Sequence, residues 1–296
     1  MPVPVFPGSD LCRHEEGRVR ASGGPELHWE RFTPPSPRST VLVLHGAGDH
    51  LGRYPGVTDA LVRAGHEVAL LDFRGHGRSG GKRWYVDRFE DYLADLDAFA
   101  ARVRGESGSR KLFVVAHSQG GHVAAHWGLA GGKTVDGFVL SNPYFRLAID
   151  PPKLKLWTAK LVGKVIPHLP VDAELDLATL TSDPEMQAWT DADRLYLRKT
   201  TPRWFVESGR AQEELRRAWS RFDRPLLLLL GTGDRIADGA AASEFFAAVA
   251  SRDKTLREYL GMEHEIFNER DRGAPIGDAV AWISERAGDG PAPGTH

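Results

Sequence analysis

The sequence has a single cysteine, Cys12, and three methionines among its 296 residues. One thiol cannot form an intrachain disulfide, and Cys12 has no Cys or His neighbours at metal-ligand spacing. Long apolar runs are missing as well, since none approaches the roughly 20 residues that span a bilayer. An excess of either charge is also absent. The 38 Lys and Arg stand against 40 Asp and Glu, a formal charge of −2. That balance argues against a nucleic-acid binder relying on a strong basic field. The start, Met1-Pro2-Val3-Pro4-Val5-Phe6-Pro7, lacks a charged n-region and places prolines where a secretory signal needs an apolar segment. A cytoplasmic location is the default expectation. Gly288 to His296, rich in Gly and Pro, is expected to be a disordered tail.

What is present is 41% hydrophobic residues, enough for a substantial core in one large domain or two small ones. An early hairpin is expected from Arg18 to Phe32, turning at Gly23-Gly24-Pro25. Strand and helix signals then alternate. Val41 to Leu44, Glu67 to Asp72, Leu112 to Ala116, Gly137 to Leu140 and Pro225 to Leu230 are compact apolar runs. Such runs suit strands buried on both faces of a parallel sheet, and Thr255 to Leu260 reads as a further strand. Helices are expected over Tyr54 to Arg63, Val86 to Val103, Gly120 to Leu129, Ser243 to Ala250 and Ala279 to Glu285. This alternation implies right-handed crossovers and a mostly parallel sheet. The rhythm breaks between Asn142 and Arg224, where Pro151, Pro152, Pro167, Pro170, Pro184 and Pro202 lie among helical fragments. The expected organisation is therefore a core at 1–142, a helical cap at 143–224, the core again at 225–287, and the tail. A cap in that place covers the strand ends, where open α/β sheets bind ligands.

The most informative stretch runs from Leu112 through Ala116-His117-Ser118-Gln119-Gly120-Gly121. A buried strand leads into Ser118, and a helix follows at once. The G-x-S-x-G elbow needs small flanking residues so that a strained strand-to-helix turn can close. Ala116 stands for the first Gly and is also small. A helix-capping serine would look similar in isolation, but the strand–turn–helix context favours a nucleophile. An acid and then a histidine should follow, each just after a later strand. Asp234 follows Leu226 to Leu230 in Gly231-Thr232-Gly233-Asp234, and His264 follows Leu256 to Leu260. Asp238 is a rival for the acid. In these roles His264 accepts the Ser118 proton and Asp234 orients the imidazole. Oxyanion donors are expected from the N–H of Gln119 and from Ala47, in the loop His45-Gly46-Ala47-Gly48-Asp49-His50, whose small residues allow close backbone approach.

With these residues the chain resembles the α/β-hydrolase family, in particular its monoacylglycerol lipase and lysophospholipase-like branch. Further matching motifs are Gly52-Arg53-Tyr54, Asp72-Phe73-Arg74-Gly75-His76-Gly77-Arg78-Ser79 and His264-Glu265-Ile266-Phe267-Asn268-Glu269. The resemblance covers about Arg18 to Arg286. It implies an α/β-hydrolase fold with a mostly parallel sheet, helices on both faces and an inserted helical cap. It also implies a hydrolase of glycerol-type lipid esters, with Ser118, Asp234 and His264 as triad and Ala47 and Gln119 as oxyanion donors. Two departures stand out: Ala116 for the usual Gly, and Gln119 where such lipases often carry Met. Rival readings are a lysophospholipase, a small-ester carboxylesterase, a peptidase of the same fold, or a non-catalytic lipid-binding protein.

Other motifs weigh less. Gly75-His76-Gly77-Arg78-Ser79-Gly80 fits a dinucleotide fingerprint literally, but no helix opens where its third Gly should pack. His122 and His126 have the i, i+4 spacing of metal ligands, yet no Glu follows His122 as in H-E-x-x-H, so packed histidines are expected. Neither a metal nor another cofactor is expected. From Lys153 to Ile166, Leu154, Trp157, Leu161 and Val165 form one helical stripe beside Lys153, Lys160 and Lys164. The favoured placement packs this stripe over the pocket. The other lays it on a membrane surface for a transient contact.

Overall fold

A computed structural model describes residues 3–108, 110–130, 135–149, 161–173 and 175–288. The expected hairpin is β1 (Arg13–Val19) with β2 (Leu27–Thr33), paired antiparallel up to Val19 and Leu27. β1 begins five residues before the expected Arg18. Its exposed and half-exposed Arg, His and Glu residues form a sheet edge without an apolar signal. Four buried strands follow: β3 (Thr40–Leu44), β4 (Glu67–Leu71), β5 (Leu112–His117) and β6 (Gly137–Ser141). The two-residue β7 (Val171–Asp172) and β8 (Lys199–Thr200) pair only with each other. The last strands are β9 (Leu226–Gly231) and β10 (Lys254–Tyr259).

The eight-stranded sheet has the order β1-β2-β4-β3-β5-β6-β9-β10. From β4 to β10 every neighbouring pair is parallel, and only the hairpin end is antiparallel. Side chains alternate between two cores, as strand geometry requires. Leu42, Leu44, Val114, Ala116, Leu140 and Leu228 face one core, and Val41, Val43, Phe113, Val115, Val139 and Leu227 face the other. The first is covered by α2 (Glu90–Ser107) and α3 (Gln119–Ala130), the second by α1 (Pro55–Arg63) and α8 (Gly273–Ala287). This is the α/β-hydrolase arrangement. α2 starts at Glu90 rather than Val86, because Val86 to Phe89 belong to the preceding loop. α7 (Gly239–Ala248) starts before the expected Ser243, since the Asp238 carboxylate caps it through Ala240 and Ala241 N–H.

Between β6 and β9 the chain leaves the sheet and forms the β7–β8 ribbon, α5 (Pro184–Ala192) and α6 (Pro202–Ala218). Thr201 caps α6, Pro202 opens it, and Trp204, Ala211 and Leu215 are buried from it. Of the amphipathic segment expected at Lys153 to Ile166, residues 153–160 lie outside the described residues. Residues 161–165 are helical (α4). The favoured placement of its stripe does not hold for the two described members, because Leu161 and Val165 are 48% and 72% exposed. Val162 lines the cavity instead, so α4 is rotated relative to the expected phase. Among the described residues no helix is long and apolar enough to cross a membrane. Apart from Gly288, the expected tail lies outside the described residues.

Candidate active site

The turn from β5 into α3 places Ser118 in the left-handed region, with φ of 52°. Such a backbone is costly for a residue with a side chain and needs fixing from outside. Ser118 N–H donates to Ser141 O at 2.9 Å, and Ser118 O accepts from Tyr144 N–H at 2.9 Å. Close approach explains Gly120: a Cβ there would lie 2.6 Å from Leu44 O and 2.7 Å from His45 O.

Ser118 Oγ lies 2.9 Å from His264 Nε2, and His264 Nδ1 lies 2.7 Å from Asp234 Oδ2. The other Asp234 oxygen accepts from Ile236 N–H at 2.8 Å and Ala237 N–H at 3.0 Å. These three sequence-chosen residues come together at strand ends 30 to 146 residues apart in the chain. Asp238 does not join them. It caps α7 and pairs with Arg146 at 2.6 Å. Burial works against a charged His264, but the adjoining Asp234 carboxylate outweighs it and raises the imidazole pKa above 6.5. Burial likewise opposes charge on Asp234, and the His264 partner again wins and lowers its pKa.

The loop after β3 packs against the serine: a Cβ on Gly46 would sit 3.3 Å from Ser118 Cβ. Gly46 N–H is engaged by Tyr54 Oη at 3.2 Å. Ala47 N–H and Gln119 N–H have no acceptor among the described residues, which leaves both donors available to an incoming oxygen. His45 anchors the loop, its Nε2 accepting from Phe73 N–H at 2.9 Å.

Several residues here carry no role in the sequence reading. Asn142 Nδ2 donates to His264 O at 2.7 Å, and its Oδ1 accepts from Gly231 N–H at 2.8 Å. It thus ties the Asp234 and His264 loops together. Its own φ is 40°, in the left-handed region Asn tolerates. The buried Arg53 guanidinium pairs with Asp49 at 3.0 Å and Glu265 at 2.6 Å, and lies 5.0 Å from the Trp189 ring and 5.2 Å from that of Tyr196. Burial pushes Asp49 up to about 6 and holds the His117 imidazole down to about 3. Arg53 and Glu265 stand inside motifs that carry the family resemblance, and that was the available signal.

The other motifs find plainer roles. Gly75 to Gly80 form a loop closed over Asp72, whose carboxylate accepts from Leu51 N–H at 2.8 Å and Arg78 N–H at 2.7 Å; α2 opens only at Glu90. His122 packs 4.6 Å from the Phe89 ring, and His126 Nε2 bonds Ala211 O at 2.8 Å. Among the described residues Glu16, His28 and Glu30 have metal-ligand spacing, but Arg78 already places a cation 3.1 Å from Glu16.

A cavity of about 640 Å³ opens at Ser118. Asp49, His117, Tyr196 and Glu265 line one end beside His264, while Leu147, Ile149, Val162, Leu169, Val171 and Phe205 line the flank. Among the described residues that line it there is no Lys or Arg.

The family model for serine aminopeptidase, S33, matches residues 35–271. A monoacylglycerol lipase from Mycolicibacterium smegmatis is 31% identical over 88% of this chain and 94% of its own. Phospholipase YtpA of Bacillus subtilis is 29% identical over 80% of this chain and 91% of its own. Among solved structures, Paleococcus ferrophilus monoacylglycerol lipase superposes with a TM-score of 0.81 at 27% identity, covering 88% of this chain and 99% of that one.

Proposed function

The chain belongs to the serine aminopeptidase S33 family and is a lipid ester hydrolase, and from that premise we propose that it cleaves monoacylglycerols through an acyl-enzyme on Ser118. His264 takes the Ser118 proton as Oγ attacks the ester carbonyl. The oxyanion is held by Ala47 and Gln119 N–H. The acyl C–O bond then breaks, and glycerol leaves with the proton from His264. Water repeats the sequence and releases the fatty acid. Asp234 keeps the imidazole oriented and stabilises its charged form.

The observation that carries the glycerol-ester reading is the two-ended cavity. A monoacylglycerol is a small neutral polyol joined to one apolar chain. Glu265 Oε1 and the Tyr196 hydroxyl have no hydrogen-bond partner among the described residues and line the end beside His264. They can take glycerol hydroxyls. The absence of Lys or Arg among the described lining residues leaves a phosphate-bearing alcohol without a cation to pair with, which disfavours lysophospholipids. The test is kcat/KM for 1-acylglycerols of rising chain length against p-nitrophenyl esters and lysophospholipids. Medium or long glycerol esters should win; turnover of very short esters alone would remove the lipase reading. Failure of a fluorophosphonate to label Ser118 in folded protein would remove catalysis itself.

A second observation favours membrane contact. Ile149, Leu169 and Val171 line the cavity yet are 40–74% exposed, and Leu161, Val165 and Ile166 are also exposed. Exposed apolar side chains of this kind, three of them on the cavity wall, suit a lipid surface. Co-sedimentation with lipid vesicles, weakened by Val165→Asp, is the expected result; equal sedimentation of both forms would count against it.

A further inference from the structure

We infer that the alcohol end of the cavity also selects the leaving group by charge, favouring a cationic alcohol over an uncharged one of the same shape, so that acyl esters of quaternary-ammonium alcohols form a second substrate class beside glycerol esters. This rests on the Ser118 reading and concerns the opposite partner of the ester bond from the acyl chain.

The charge count comes first. Asp49 and Glu265 both line the cavity and share one buried guanidinium, Arg53. Two carboxylates against one cation leave a negative excess. No Lys or Arg lines the cavity among the described residues, burial keeps His117 neutral above a pKa of about 3, and any charge on His264 is matched by its own partner, Asp234, at 2.7 Å.

The second observation is a free acceptor. Glu265 is 4% exposed. Its Oε2 takes Arg53 at 2.6 Å and Asn268 at 2.9 Å, whereas Oε1 has no donor among the described residues. Asp49 differs, because Tyr54, His50 N–H and Arg53 occupy both of its oxygens. A carboxylate in so buried a residue is poorly hydrated even where one oxygen reaches the cavity, and a cation relieves that most. Tyr196 and Trp84 also line the cavity, and aromatic side chains suit the methyl groups of a quaternary ammonium.

Position completes the case. The departing oxygen must receive its proton from His264, and Glu265 is the next residue along the chain. An alcohol with its cation two carbons from that oxygen brings the charge toward Glu265. The chemistry is unchanged: the ester C–O bond breaks and the amino alcohol leaves with the His264 proton; water then gives hydroxide to the acyl group and a proton to His264, which passes it to Ser118 Oγ as the acyl–Oγ bond breaks.

The experiment compares decanoylcholine with 3,3-dimethylbutyl decanoate, its uncharged carbon isostere, and with 1-decanoylglycerol, on the full chain at low salt. The choline ester should exceed the isostere in kcat/KM by about tenfold, the factor that about 1.4 kcal/mol gives. That ratio should fall toward one in Glu265→Gln, whatever happens to the absolute rates. A ratio of one or less in the unaltered protein, or a ratio that Glu265→Gln does not change, overturns the charge selection. Should Glu265→Gln not fold, competition on the unaltered protein decides: choline should inhibit about tenfold more strongly than 3,3-dimethylbutanol, and equal inhibition overturns the inference. If none of the three esters is hydrolysed, the Ser118 reading itself fails.

Discussion

Around Ser118 the cavity is walled by short loops hydrogen-bonded to one another, whereas toward Ile149, Val162, Leu169 and Val171 it is walled by apolar side chains, several facing solvent. At the first end, Asn142 joins two loops, Asp49 holds Arg53, Tyr54 and the backbone of His50, and Leu197 N–H donates to Gly48 O at 2.7 Å. The inserted segment takes part as well, since Glu265 N–H donates to Leu180 O at 2.7 Å and Ser182 Oγ to Glu269 at 2.6 Å. At the second end, directional contacts give way to Leu147, Ile149, Val162, Leu169 and Val171. The contrast follows from what each end must do. Bond-making requires groups held within a fraction of an ångström, while an alkyl chain needs only non-directional apolar area.

The comparison can be broken most severely at the serine. Ser118→Ala should lower kcat by at least about 10⁴-fold, the scale seen when a triad nucleophile is removed, with thermal stability nearly unchanged. Asp234→Asn comes next, with a fall of about 10⁴-fold in kcat. The pH profile tests the same pair without mutation. His264 must be neutral to accept a proton, and the Asp234 carboxylate raises its pKa above 6.5. The rate should therefore climb as pH rises through a midpoint above 6.5; a midpoint below it would contradict the coupling.

Asn142→Ala probes how rigid the polar end must be. It leaves Gly231 N–H and the His264 carbonyl without this partner in a buried place, at a cost of about 1–3 kcal/mol. A melting temperature lower by several degrees and a kcat down about tenfold should appear together. The smallest effect belongs to the rim. Val165→Ser should leave hydrolysis of a soluble short ester unchanged and slow that of dispersed long-chain glycerol esters by about threefold. Equal slowing of both would place Val165 in chain binding rather than at the lipid surface.

How much of this could be read from residues alone divides along the same line. Ser118 and Asp234 follow compact apolar strands, and His264 follows a more polar strand, β10, in the order that the elbow pattern requires, so local pattern pointed to them. Only packing shows that Asp234 and not Asp238 adjoins His264, because a helix cap and a carboxylate beside a histidine look alike in sequence. Asn142 and the Arg53–Glu265 pair were illegible as a site, since their partners lie 89 to 212 residues away. The phase of α4 departs from the expected one for a different reason. Leu161, Val162, Val165 and Ile166 are all apolar, so hydropathy alone could not choose which face turns inward.

The central claim is that the ester's acyl group passes through Ser118. Rapid acid quenching during turnover of a 1-acylglycerol, followed by mass analysis of the Ser118 peptide, tests it most directly. An added acyl mass on Ser118, lost in Ser118→Ala, is the predicted result. Sustained ester hydrolysis by Ser118→Ala, or an acyl mass on a different residue, would contradict it.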